Sequence, residues 1–232
     1  MSEKPENFSR PTSPLADQRR VDSSTVSPAI QELLKLAVKR TEGNPLEIMQ
    51  VVEQLFRELE KEYHVKAEDF KAEYHSRDFI LQRLVNSIQA LIEGLPDHDL
   101  HGKTIVDLGC GATGGHAERA VHKRGYEPWL CRMLLKLGAR PIGIDIGSLD
   151  GEKFEHCSVD LGLPKALDNV LPAGIADAVN VRLLYNSETK AKGFRHGGLR
   201  LLLLPQIRRL LKPTGIYVEA SSFETRDELP RE

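Results

Sequence analysis

The residues of this chain that could do chemistry sit at two junctions. Asp107-Leu108-Gly109-Cys110-Gly111-Ala112-Thr113-Gly114 follows directly on the β-branched run Thr104-Ile105-Val106. Glycines after a strand let the backbone turn sharply and let a ligand approach without a Cβ in the way, and free N–H groups there can hold polar or anionic groups. The second junction is Asp145, in Gly143-Ile144-Asp145-Ile146, at the end of another apolar run. A carboxylate at such a strand end can accept both hydroxyl protons of a ribose. Together the two junctions point to a nucleoside-containing ligand. The glycines also spell the dinucleotide pattern GxGxxG, but that pattern places its acidic residue about 20 residues on, and Asp145 lies well beyond.

These residues need a scaffold, and the apolar periodicity supplies one. From Thr104 onward short β-branched runs alternate with helical stretches, with strands expected at 104–108, 141–146, 156–160, 177–184 and 215–220. Helices are expected over Tyr126–Ala139, Pro164–Leu171 and Gly197–Lys212. That alternation implies right-handed βαβ units, a mostly parallel sheet covered on both faces, and a ligand beyond the carboxyl ends of the strands. The fold class is therefore α/β and Rossmann-like over residues 98–232.

Upstream the period is helical. Ser27-Pro28 and Asn44-Pro45 are N-terminal helix signals, and Ile48, Val52, Leu55, Phe56, Leu59 and Tyr63 form one stripe. A further helix runs from about Arg77 to Glu93, with Ile80, Leu84, Ile88, Leu91 and Ile92 on one face and Gly94 and Pro96 as stop signals. Residues 27–97 thus form a helical extension, expected to act as a cap or as packing support. Residues 1–26, rich in Ser, Pro and charge, cannot bury enough surface to offset their ordering entropy and are expected to be disordered.

Composition narrows the class. In 232 residues, 40% are hydrophobic and 28% charged, enough for a sizeable core. Lys and Arg (32) nearly balance Asp and Glu (34), which argues against a whole-surface binder of nucleic acid or anionic membrane. Cys110, Cys131 and Cys157 show no CxxC spacing and no even count, so neither a disulfide framework nor a zinc site is indicated. There is no bilayer-spanning run and no apolar signal segment at the start, so a cytoplasmic location is expected.

With these motifs in order, the chain resembles class I S-adenosylmethionine-dependent methyltransferases over about residues 102–220. Val106-Asp107-Leu108-Gly109-Cys110-Gly111 matches the family's methionine-binding loop. The resemblance implies S-adenosyl-L-methionine as cofactor, a strand order 3-2-1-4-5, and a cofactor site of Asp107, Gly109, Cys110, Gly111, Thr113 and Gly114. To these it adds Asp145 with Ile146 at the ribose, and Asp160 with Leu161 at the adenine. Asn180 and Arg182, on a strand similar to the family's fourth, would line the methyl-transfer site. Arg208 to Val218 is similar to the family's turn and strand with the pattern RvLkPGG. Three features depart from the pattern: the displaced third glycine, the polar insertion 115–125, and a C-terminus that leaves the last helix and hairpin apparently missing.

The reaction so implied is in-line displacement at an activated methyl, which asks the protein for alignment and a base where the nucleophile carries a proton. Tyr185 and His196 are the candidate bases, and Arg182 could hold a substrate carboxylate or phosphate. Local hydrogen bonding is the alternative role for each. No metal is implied, and His116, Glu118 and His122 fit a solvated loop. Tyr126 and Trp129 could stack on a ligand ring or anchor a helix in the core. A small-molecule acceptor is expected. The alternatives are a non-catalytic, regulatory methyltransferase-like protein, and RNA methylation through Lys190, Lys192, Arg195, His196 and Arg200, where sparse aromatic residues speak against nucleic acid. An open sheet edge after the fifth strand would favour a homodimer.

Overall fold

The computed structural model describes residues 45–65, 76–112, 127–181, 198–219 and 222–229. Two helices, α1 (Pro45–Glu62) and α2 (Arg77–Gly94), precede β1 (Thr104–Leu108). Then come α3 (Trp129–Lys136), β2 (Arg140–Asp145), β3 (Glu155–Ser158), β4 (Ala176–Val181), α4 (Gly198–Leu210), β5 (Leu211–Glu219), β6 (Ser222–Thr225) and a 3-10 turn (Arg226–Glu228).

The six strands form one sheet in the order β3-β2-β1-β4-β5-β6. All neighbours are parallel except β5 and β6, which run antiparallel with Ile216 opposite Thr225 and Glu219 opposite Ser222. The five-strand order read from the sequence holds, but the expectation of an uncovered edge after β5 is overturned. Four residues suffice for a strand to turn back and satisfy that edge, where a helix and hairpin would need many more. The outer edge of the sheet on this side is β6.

Alternation along the strands sorts the core into two layers. On one face Ile105, Ala178, Ile216 and Val218 pack with α1, α2 and α3. On the other, Val106, Leu108, Ile144, Val179 and Tyr217 pack with α4 and with Leu161, Leu167 and Leu171. The N-terminal helices therefore share the sheet's core. Ser76 caps α2, its hydroxyl accepting from the Phe79 N–H at 3.2 Å. Arg77 joins α2 to α1 through a two-pronged pair with Glu60 at 2.7 and 2.9 Å.

Two local expectations fail for identifiable reasons. Pro164–Leu171 is a series of turns. Lys165 takes a left-handed φ of 56°, and α4 captures backbone groups a helix would need: Gln206 accepts from the Leu167 N–H, and Arg209 donates to the carbonyls of Leu167 and Leu171. Likewise β5 begins at Leu211, four residues before the expected start, because Lys212-Pro213-Thr214-Gly215 forms a bulge inside the ladder; the register shifts between Ala176 and Ala178. Gly215 belongs there, since a Cβ would stand 3.0 Å from the Ala176 carbonyl oxygen. The expected helix at Ser27, the tail 1–26 and the insertion 115–125 lie outside the described residues. Among the described residues no helix is long and apolar enough to cross a membrane.

Candidate functional site

The site starts from two positions that break the apolar pattern of their strands. On β1, Asp107 occupies the face that Ile105 uses for packing, and on β4 its register partner Asn180 does the same beside Ala178. Both are buried, at 3% and 0% exposure, so each must find a partner inside the protein or in a ligand. Asn180 donates its amide N–H to Asp107 Oδ1 at 2.6 Å, and Cys131 Sγ stands 3.7 Å from Asp107 Oδ2. The carboxylate fixes the amide's orientation, because only the nitrogen can face it favourably. Asn180 Oδ1 is fully buried, with no hydrogen-bond partner among the described residues.

Asp107 and Asn180 form the floor of a cleft, with Gly109 and Cys110 at one side. The cleft is shallow: its volume is about 50 Å³, and it opens to solvent at its mouth. Its far wall is α2, and Glu127, Trp129 and Leu130 at the start of α3 close the remaining side.

The loop after β1 is shaped by two glycines with φ of 71° at Gly109 and 99° at Gly111, values that side chains disfavour. Its N–H groups are not the free cradle expected from the sequence. Gly109 and Cys110 donate to the Ile144 carbonyl at 2.8 and 3.2 Å, and Gly111 donates to Asp145 Oδ2 at 2.9 Å. The loop folds back onto the end of β2, which it ties to β1. Asp145 Oδ1 accepts from the Gly147 N–H at 2.9 Å, so each carboxylate oxygen keeps a further lone-pair direction for a hydroxyl.

Asp145 does not line the cleft; it lies beside it, at the end of β2. Next to it Ile146 is 49% exposed, unusual for an isoleucine at a strand end. The Asp145 carbonyl accepts from the Val159 N–H, drawing the end of β3 alongside. There Asp160 lies two residues beyond β3 and accepts from the Gly162 N–H at 2.9 Å. Leu161 packs in the core at 6% exposure, whereas Leu163 is 58% exposed. The structure thus brings Asp107, Gly109, Cys110 and Asn180 together in the cleft, and Asp145, Ile146 and Asp160 along the adjoining rim. Thr113, Gly114, Arg182, Tyr185 and His196 lie outside the described residues.

Cys110 and Cys131 are not reactive groups here. Burial, reinforced by contact with Cys110, pushes the Cys131 thiol well above the usual range. Contact with Cys131 favours the Cys110 thiolate, but burial and the charges of Asp107 and Asp145 outweigh it and leave that thiol raised as well. Both sulfurs crowd Gly143, the register partner of Asp107 on β2. A Cβ at Gly143 would stand 2.8 Å from Phe154 Cε2, 3.0 Å from Cys110 Sγ and 3.5 Å from Cys131 Sγ. Gly143→Ala is therefore expected to destabilise the fold by about 1–3 kcal/mol through overpacking. A thermal melt within error of the parent chain would show that these side chains yield freely.

Sequence reasoning missed the α2 wall, where Ser87, a polar residue beside an apolar stripe, is only 1% exposed. Trp129 is a core residue, 3% exposed and edge-on to Phe56 at 5.2 Å, that also borders the cleft. Arg200 does not present a free cation, since it pairs with Glu219 and Glu224. Among the described residues no group of three or more His, Cys, Asp or Glu side chains is placed to hold a metal. No family model matches the chain, and no curated protein matches it in sequence.

Proposed function

We propose that this chain is a class I methyltransferase that binds S-adenosyl-L-methionine along the carboxyl ends of β1, β2 and β3 and acts on a small-molecule acceptor. One observation carries the reading: the cleft is lined by hydrogen-bond acceptors, the Asp107 carboxylate and Asn180 Oδ1, which has no partner among the described residues, while the Gly109, Cys110 and Gly111 N–H groups of the glycine loop are taken internally. A pyrophosphate needs donors at that loop, so the dinucleotide alternative fits poorly. A cationic amino-acid end fits well, because its ammonium can donate to Asn180 Oδ1 beside a buried negative charge.

The rim suits the rest of such a cofactor. Asp145 has lone-pair directions left for the ribose hydroxyls, Asp160 is the acidic group next in line for an adenine amino group, and exposed Ile146 offers an apolar face to the base. When bound, this cofactor supplies a methyl group on a sulfonium, already activated for displacement. The protein's part is to hold the cofactor's two ends and to exclude water, which α2 and α3 do by covering the cleft from one face.

Isothermal titration with S-adenosylhomocysteine and NAD tests the reading. Micromolar binding of the first and none of the second is expected. Asp145→Ala should weaken S-adenosylhomocysteine binding about tenfold or more, the loss of two hydroxyl contacts to a charged acceptor. Unchanged affinity in that variant would remove Asp145 from the site, and binding of NAD alone would overturn the proposal.

A further inference from the structure

α2 turns one face to the cleft, and its spacing is regular: Ile80, Arg83, Leu84 and Ser87 stand at i, i+3, i+4 and i+7. Three of them are small or apolar; the fourth is a cation. The Arg83 guanidinium lies over the Phe79 ring, 5.6 Å from Cζ to the ring centre, so the residue four positions earlier props it in place. The same cleft is lined by Asp107, Glu127 and Asn180, whose Oδ1 has no hydrogen-bond partner among the described residues. One wall therefore carries a donor-rich positive group and the floor carries acceptors and a negative charge. This is the complement of an α-amino-acid zwitterion, with its carboxylate toward α2 and its ammonium toward β4.

We infer that Arg83 anchors the α-carboxylate of the ligand's amino-acid end, opposite Asn180, whose Oδ1 takes the ammonium. This rests on the cofactor reading above and deepens it: a helix N-terminal to the sheet becomes part of the cofactor site. A guanidinium has five N–H donors in a planar fork, so it can serve a carboxylate while keeping other contacts. Asp107 then acts twice, holding the Asn180 amide so that its oxygen faces the ligand and placing a negative charge beside the ammonium.

The test compares two ligands on the full chain by calorimetry. S-adenosylhomocysteine carries the amino-acid end; 5′-methylthioadenosine has the same nucleoside and thioether without it. Arg83→Gln should weaken S-adenosylhomocysteine binding about tenfold or more and leave 5′-methylthioadenosine binding unchanged, which also reports an intact site. Arg83→Lys, which keeps the charge and loses the fork, should fall between the two. Equal losses for both ligands, or no loss for either, would overturn the Arg83 assignment while leaving the cofactor reading standing. Failure of the parent chain to bind either ligand would overturn both.

Discussion

Arg132→Met should destabilise the folded chain by about 3–5 kcal/mol, the cost of stranding buried charges when their partner is removed. Arg132 is 2% exposed and stands between two carboxylates that are each 1% exposed. It donates to Glu127 Oε2 at 2.5 Å and to both oxygens of Glu152, at 2.6 and 3.1 Å. Its guanidinium also stacks on the rings of Tyr63, 3.6 Å away, and Trp129, 4.6 Å away. Burial works against its charge, but the two carboxylates more than compensate, and its pKa is raised. One side chain so joins α1, α3 and the segment before β3. Methionine fills much of the same volume, so the loss comes from charge more than from a cavity.

That account fixes a pH dependence. Without the guanidinium, burial penalises the charged form of the two carboxylates that faced it. Groups raised on folding contribute stability that is present below the unfolded pKa and lost as pH rises through the folded one. The deficit of the variant should therefore be small near pH 4 and grow toward pH 8. Urea unfolding midpoints of variant and parent chain at both pH values measure it. A deficit independent of pH would mean that ring stacking and packing, not the stranded carboxylates, hold this junction together. Tyr63 is part of the same cluster: burial, with the charge of Glu152, pushes its phenol up to about 12, so it stays a neutral donor to Glu152 across this range.

The second large effect concerns the cleft floor. Asp107→Asn keeps the shape and can keep the contact to the Asn180 amide through its own carbonyl, while the charge is lost. On the proposed reading, affinity for S-adenosylmethionine should fall by about 2–5 kcal/mol, ~30-fold or more, as when one partner of a desolvated charge pair is truncated. The melting temperature should change less than the affinity, because the side chain keeps its shape and its contacts to the Asn180 amide and the Cys131 thiol. Calorimetry beside a thermal melt separates the two. Lost stability with retained affinity would make Asp107 a structural residue alone.

Particular residues show how far the sequence could be read. The strand ending at Asp107 and the one ending at Asp145 were legible, since each pairs an apolar run with a glycine or acidic stop. The stripe Ile80, Leu84, Ile88, Leu91 marked α2 to within a residue of its end. Asn180 was legible as a site residue only through the family resemblance. Arg83 and Ser87 were not, because on a helix a polar residue beside an apolar stripe ordinarily faces water.

The sequence by itself determined the alternation of elements, the parallel sheet and the two acidic strand ends, because backbone periodicity and turn chemistry act over a few residues. What only the tertiary structure decided depends on groups far apart in the chain. Asn180 Oδ1 is left without a partner because Asp107, across the β1–β4 ladder, claims its nitrogen. The loop N–H groups are lost to a ligand because β2 supplies acceptors for them. Pro164–Leu171 forms turns because α4 takes its backbone groups. Which polar group is satisfied internally and which waits for a ligand is a property of neighbours in space, and no local pattern encodes it.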